Sequence, residues 1–133
     1  MKHLKARDIM MRPVVAARRN ASARDIAMQL LSGLYSGMPV TDENGKVVGV
    51  VTEFDLLSQI KDGKDIVKLT AEDIMAKDPV TVDAGYSLPD VLNIMLEKNI
   101  IRIPVTDEGR LVGIIARCDI LKIYIEPEFV TYM

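Results

Sequence analysis

The chain has 133 residues, of which 49% are hydrophobic and 27% are charged. This length fits one domain or two small lobes that share an interface, and this balance excludes a disordered tail or a fibre. A net charge of −2 excludes a whole-molecule field that attracts nucleic acid or an anionic membrane. No apolar run approaches the ~20 residues that a membrane-spanning helix needs.

Cysteine and histidine are almost absent. Cys118 is the single cysteine and cannot form an internal disulfide, which fits a reducing, cytoplasmic location. His3 is the single histidine, so the chain cannot assemble a His/Cys metal site or a nucleophilic triad. The sequence therefore predicts a protein that is not an enzyme, has no metal site and requires no cofactor.

The sequence contains an internal repeat. The stretch "DIMMRPV" at Asp8 returns as "DIMAKDPV" at Asp73, an offset of 73 − 8 = 65 residues. Further on, "MPVTDENGKVVGVV" returns as "IPVTDEGRLVGII", with Pro39 and Pro104 again 65 residues apart. Self-similarity at a fixed period predicts two copies of one supersecondary unit.

Each copy predicts a strand, a helix, a hairpin and a second helix, in that order. The runs "PVVA" and "PVTV" favour strands, and the apolar spacing after Ser22 and Ser87 favours helices that begin at these serines. The segments "DENGK" and "DEGR" are typical of hairpin turns. The second helices are predicted from residue 53 to about 60 and from residue 117 to about 124.

We predict the domain divisions from these boundaries. Residues 1–62 form the first copy with its N-terminal segment, residues 63–126 form the second copy, and residues 127–133 form a C-terminal tail. Each copy leaves one face of its sheet apolar, and the simplest way to bury it is against the other copy by pseudo-two-fold symmetry. The predicted fold class is therefore α/β, of the α+β type, with two copies packed through their sheets.

The repeated motifs resemble those of a tandem pair of cystathionine-β-synthase-type (CBS) domains, a Bateman module, over roughly residues 8 to 124. The motifs are "DIM" with a following "PV", then "MPV" or "IPV" before an acidic turn, then "GVVTEFD" or "GIIARCD". The resemblance implies a regulatory module that binds an adenosine-containing ligand in clefts between the copies. It also implies a homodimer and an effector protein that the sequence does not identify.

In the resembled family, the ribose motif is glycine, two apolar residues, Thr or Ser, two variable residues and Asp. "GVVTEFD" fits it at Gly49, Thr52 and Asp55. A carboxylate at a helix start can accept hydrogen bonds from both ribose hydroxyls. The alternative is a helix cap in which Thr52 and Asp55 bond only to the backbone, and the two roles can coexist.

The resemblance also implies a phosphate contact and an adenine-binding surface. Arg102 stands where the family often has a basic residue that binds phosphate, for which a guanidinium is well suited. Val15, Ala16 and Met38 are the implied adenine lining. The alternatives are an exposed arginine at a strand end and ordinary core packing of the three apolar residues.

The second ribose motif is incomplete. "GIIARCD" keeps Asp119 but has Ala116 in place of the hydroxyl, and Gly37 occupies the position that matches Arg102. We therefore expect a weaker second cleft formed by Asp119, Thr81 and Arg117. The lost hydrogen bonds, about 1 kcal/mol for a neutral one and about 2 for a charge-assisted one, correspond to roughly a hundredfold lower affinity.

Two other functions compete with ligand sensing. One is a dimeric interaction module that binds a protein partner and no ligand. The other is a nucleic-acid-binding regulator that uses Arg12, Arg18, Arg19 and Arg24 of the first copy. Because no aromatic residues alternate with these arginines to stack on bases, a solvated charged face is the favoured interpretation. We therefore expect neither a nucleic-acid partner nor a membrane partner.

Overall fold

A computed structural model describes residues 3–33 and 35–125. The predicted C-terminal tail, residues 127–133, lies outside the described residues. The chain forms two compact units: the first-repeat unit is Val15–Pro79, and the second-repeat unit combines Met1–Val14 with Val80–Met133. No described helix is both long and apolar enough to cross a membrane.

The first-repeat unit contains a four-stranded sheet. Its elements are β1 (Ala17–Arg18), α2 (Ala23–Gly33), β2 (Gly37–Thr41), β3 (Val47–Thr52), α3 (Glu53–Lys61), α4 (Ala71–Ile74) and β4 (Ala76–Lys77). The strands lie in the order β1-β2-β3-β4, with β1 parallel to β2 and the other neighbours antiparallel. Its core includes Ile26, Leu30, Val40 and Val51.

The second-repeat unit contains a three-stranded sheet. Its elements are α1 (Ala6–Ile9), β5 (Val82–Asp83), α5 (Leu88–Lys98), β6 (Arg102–Asp107), β7 (Arg110–Ala116) and α6 (Arg117–Ile125). The strands lie in the order β5-β6-β7, with β5 parallel to β6 and β6 antiparallel to β7. Its core includes Leu88, Met95, Ile103 and Ile115.

Local sequence explains where the main elements begin and turn. The Ser87 side chain accepts from the Asp90 backbone N–H at 3.2 Å and caps α5, as predicted. Ser22 accepts from the Arg24 N–H instead. In the hairpin turns Gly45 and Gly109 have φ of 81° and 82°, a conformation that favours glycine. The predicted mixed α/β class, with strand, helix, hairpin and helix in each copy, is confirmed.

The segment that precedes each repeat belongs to the unit of the other repeat. We call residues 3–14 the N-terminal strap and residues 64–79 the inter-repeat strap. The N-terminal strap joins the second-repeat unit, where the Ala6 N–H donates to the Tyr86 carbonyl at 2.9 Å. The inter-repeat strap joins the first-repeat unit, where the Ala71 N–H donates to the Ala21 carbonyl at 2.9 Å. The compact units are thus assembled differently from the predicted divisions at residues 62 and 126, which remain a prediction about the repeat.

Candidate functional site

The start of α3 brings Thr52 and Asp55 together. The Thr52 backbone N–H and hydroxyl both donate to Asp55 Oδ2, at 2.8 and 3.0 Å. In return, Thr52 Oγ1 accepts from the Asp55 N–H at 3.3 Å. This is a capping box, and both residues are half-buried. None of the hydrogen bonds found among the described residues uses Asp55 Oδ1, so this oxygen can accept from a ligand hydroxyl.

The start of α6 repeats only part of this arrangement. The Ala116 N–H donates to Asp119 Oδ2 at 2.9 Å, as Thr52 does in the other unit. Ala116 has no hydroxyl, so the Asp119 N–H has no equivalent side-chain acceptor there. The other carboxylate oxygen, Asp119 Oδ1, lies 4.0 Å from the Cys118 thiol. The two sites therefore differ in both oxygens of the aspartate.

The same aspartate cap occurs where no ligand contact is predicted. Asp8 Oδ2 accepts from the Lys5 N–H at 2.8 Å at the start of α1, and Asp73 Oδ2 accepts from the Thr70 N–H at 2.9 Å at the start of α4. The Thr70 backbone hydrogen bond, followed by its hydroxyl, lowers the pKa of Asp73 below the ordinary value of 3.8. Capping alone therefore explains an aspartate at the third helical position, and the Thr70–Asp73 pair shows that it also explains a threonine three residues earlier.

The residue that faces Thr52 across the hairpin explains how a threonine fits at this position. Gly37 pairs with Thr52, and a Cβ at position 37 would lie 3.2 Å from the Thr52 methyl and 3.0 Å from the Val51 carbonyl oxygen. In the other unit Arg102 pairs with Ala116. Each hairpin therefore places one small residue opposite one larger residue. A threonine in β3 is accommodated because its neighbour has no side chain.

Two methionines that the sequence did not single out pack against the ribose-motif glycines. A Cβ at Gly49 would collide with Met75 Sδ and lie 2.7 Å from Met75 Cγ. A Cβ at Gly113 would lie 2.5 Å from Met10 Sδ. Met10 and Met75 are the last residues of the two "DIM" motifs, and their offset of 65 is the only signal that could have found them. Both glycines are required for this close approach.

The other predicted site residues divide between the units. Val15, Ala16 and Met38 lie in the first-repeat unit with Thr52 and Asp55, and Thr81, Arg102 and Arg117 lie in the second-repeat unit with Asp119. Met38 is 2% exposed in the core, whereas Val15 is 39% exposed. The roles assigned to all of these residues, including the combination of Arg102 with Thr52 and Asp55, remain predictions.

One arginine of the basic group in the first copy, Arg19, has a partner within the chain. Arg19 forms an ion pair with Glu43 at 2.8 Å, with both side chains substantially exposed. Within residues 3–33 and 35–125, no three His, Cys, Asp or Glu side chains are grouped as a metal site. Of the two ribose-motif aspartates, Asp55 has the fuller capping box, and none of the hydrogen bonds found among the described residues uses its Oδ1.

Solved structures with the same fold include proteins bound to adenosine-containing molecules. A CBS domain pair in complex with 5′-methylthioadenosine and S-adenosyl-L-methionine is 30% identical, with a TM-score of 0.78 over 91% of this chain and 95% of that chain. CBSX2 in complex with AMP is 26% identical, with a TM-score of 0.82 over 93% of this chain and 98% of that chain.

Curated relatives are mostly longer proteins. An uncharacterised protein of Methanopyrus kandleri is 27% identical over 98% of this chain and 66% of its own length. The L-aspartate semialdehyde sulfurtransferase of Methanocaldococcus jannaschii is 30% identical over 89% of this chain and only 23% of its own length. The chain thus spans about two-thirds of the first relative and less than a quarter of the second. The CBS domain model matches residues 6–62 and 71–126, and the chain therefore belongs to the CBS-domain family.

Proposed function

We propose that the chain is a regulatory module that binds an adenosine-containing ligand at the start of α3 and transmits occupancy through a homodimer. The observation that carries this proposal is the capping box of Thr52 and Asp55. Its internal hydrogen bonds fix the carboxylate through Oδ2 and leave Oδ1 available. A fixed carboxylate loses little conformational entropy when a ribose hydroxyl binds to it.

The related structures support the choice of ligand class. AMP, 5′-methylthioadenosine and S-adenosyl-L-methionine, which occur in those complexes, share an adenosine moiety. We therefore consider AMP, ADP, ATP and S-adenosylmethionine as candidates for this chain. The enzyme activities named for longer relatives, such as inosine-5′-monophosphate dehydrogenase, are not part of the proposal, because the matching region covers 23% of one such enzyme.

An exposed apolar face supports the proposed homodimer. Phe54, Leu57 and Ile60 of α3 are 76%, 63% and 51% exposed, and they follow one another at three-residue spacing along one side of the helix. Met28 and Leu31 of α2 are also more than half exposed. Contiguous apolar patches of this kind mark interaction surfaces. Because α3 also begins at Thr52 and Asp55, a contact on this face could respond to ligand binding.

Calorimetric titration with AMP, ATP and S-adenosylmethionine tests the ligand, using the wild type, Asp55→Ala and Asp73→Ala. Asp73→Ala is the matched control, because it removes the same type of cap in the same unit. We expect one of the ligands to bind with a stoichiometry near one molecule per chain. Its binding should be lost in Asp55→Ala and retained in Asp73→Ala. Absence of binding to the wild type, or an equal loss in both variants, contradicts the proposal.

A ligand-free interaction module is the second candidate function, and the same exposed face of α3 favours it. Leu57→Glu separates the two functions when sedimentation and titration are measured together. A variant that becomes monomeric while the wild type binds no nucleotide supports the interaction module. The predicted phosphate contact is tested by Arg102→Ala, which should weaken AMP binding but leave adenosine binding unchanged.

A further inference from the structure

Each ribose-motif strand is covered by a strap that comes from the other repeat. In the second-repeat unit, Met11 of the N-terminal strap pairs with Ile114 through two backbone hydrogen bonds of 2.8 and 3.2 Å. In the first-repeat unit, β4 of the inter-repeat strap pairs with β3 at Gly49 and Val50. The straps therefore contact the strands at the glycine with which each ribose motif begins.

A methionine of each strap packs closely against the glycine of the ribose motif. Met75 and Met10 each lie where the Cβ of any other residue at Gly49 or Gly113 would be. The same contact occurs in both units, because each methionine is the last residue of a "DIM" motif. From Gly49 the chain runs three residues along β3 to Thr52, where the strand ends and α3 begins. Met75 thus packs on the same short strand that positions the capping box.

We propose that Met75 is a positioning residue for the Thr52–Asp55 site and that Met10 has the same role for Asp119. The proposal rests on the proposed function and adds a regulatory route to it. Ligand binding at one repeat is coupled to docking of the strap that precedes the other repeat. Because coupling is reciprocal, a bound ligand favours the docked strap, and a displaced strap weakens ligand binding. Any protein segment attached to a strap can therefore sense the site of the opposite repeat.

Ligand titration of methionine variants tests the coupling in the full chain. We expect Met75→Ala to weaken Asp55-dependent binding of AMP, ATP or S-adenosylmethionine about tenfold, within the usual range of coupling between sites. Met75→Leu nearly conserves side-chain volume and should stay within about twofold of the wild type. Met10→Ala is the matched control, because it makes the equivalent change in the other unit and should leave this affinity unchanged.

Amide hydrogen exchange gives a readout that needs no ligand. The relevant amides are those of Thr52 and Ala116, which donate to Asp55 and Asp119 at 2.8 and 2.9 Å. We expect Met75→Ala to lower the protection of the Thr52 amide about tenfold without changing that of Ala116, and Met10→Ala to do the reverse. This crosswise pattern is not expected from a general loss of stability, which lowers the protection of both amides together.

The two experiments separate the possible failures. If the wild type binds none of the three ligands but exchange follows the crosswise pattern, the proposed function is wrong and the positioning role stands. If a ligand binds through Asp55 but each methionine variant changes both amides equally, or neither, the positioning role is wrong. Loss of binding in Met75→Leu equal to that in Met75→Ala also overturns it, because near-conserved packing should rescue a positioning residue.

Discussion

Replacing Gly37 by alanine should destabilise the first-repeat unit. Replacing Thr52 by alanine as well should cost less free energy of unfolding than the sum of the two single changes. The new methyl group lies 3.0 Å from the Val51 carbonyl oxygen and 3.2 Å from the Thr52 methyl. Overpacking of this kind costs roughly 1–3 kcal/mol, and the lower entropy of the unfolded chain offsets about 0.4–1 kcal/mol. We therefore expect Gly37→Ala to lower the free energy of unfolding by about 1 kcal/mol.

Thr52→Ala alone removes the hydroxyl that accepts from the Asp55 N–H at 3.3 Å, and loss of such a cap costs about 1 kcal/mol. In the double variant the contact with the Thr52 methyl is gone, although the contact with Val51 remains. The two changes should therefore be less than additive by about 0.5 kcal/mol or more, as is usual for residues in contact.

Urea unfolding of the wild type, both single variants and the double variant measures this interaction directly. The control cycle combines Gly37→Ala with Asp73→Ala. Asp73 caps a different helix of the same unit, so the effects of these two changes on the free energy of unfolding should add. Additivity of Gly37→Ala and Thr52→Ala within about 0.3 kcal/mol refutes the explanation that a glycine stands opposite Thr52 to leave room for it.

Three further predictions concern the other caps and the ion pair. Ala116→Thr should raise the melting temperature more in an Arg102→Gly background than alone, because Arg102 faces position 116; an equal gain in both backgrounds contradicts this. The lowered pKa of Asp73 means that its contribution to stability is present above about pH 4 and is lost as the pH falls through the folded-state pKa. Asp73→Asn should therefore flatten the fall in melting temperature between about pH 5 and pH 2, and an unchanged slope refutes it. Arg19→Ala should cost less than about 1 kcal/mol in urea unfolding, because its pair with Glu43 is exposed; a larger loss shows that Arg19 has another role.

The sequence predicted those features that depend on local chemistry. Ser87 begins a helix, glycine occupies the turn at Gly45, and Thr52 caps α3, because each of these residues acts on backbone groups within a few positions. The repeat also predicted which elements occur twice. Such features follow from short segments and do not depend on which distant segments meet.

The features that were not predicted depend on long-range pairing. The four-residue helices α1 and α4 are too short to show helical periodicity, and nothing local in "DIM" indicates that Met75 covers Gly49. Two similar copies also do not reveal whether a strap completes its own repeat or the other one. Likewise, Arg102 was matched to Gly37 by alignment, but only the strand register shows that it faces Ala116.

Because of the straps, the two units are completed at different times during synthesis. Val15–Pro79 is continuous, so the ribosome supplies every part of the first-repeat unit before it makes the strands and helices of the second-repeat unit that follow residue 79. The N-terminal strap cannot form its final pairing at once, because Met11 pairs with Ile114, which is made 114 − 11 = 103 residues later. At ~5–20 residues per second, that interval is roughly 5–20 s. During this time Met10 lacks its final partner, Gly113, and a chaperone or a neighbouring nascent chain can bind it.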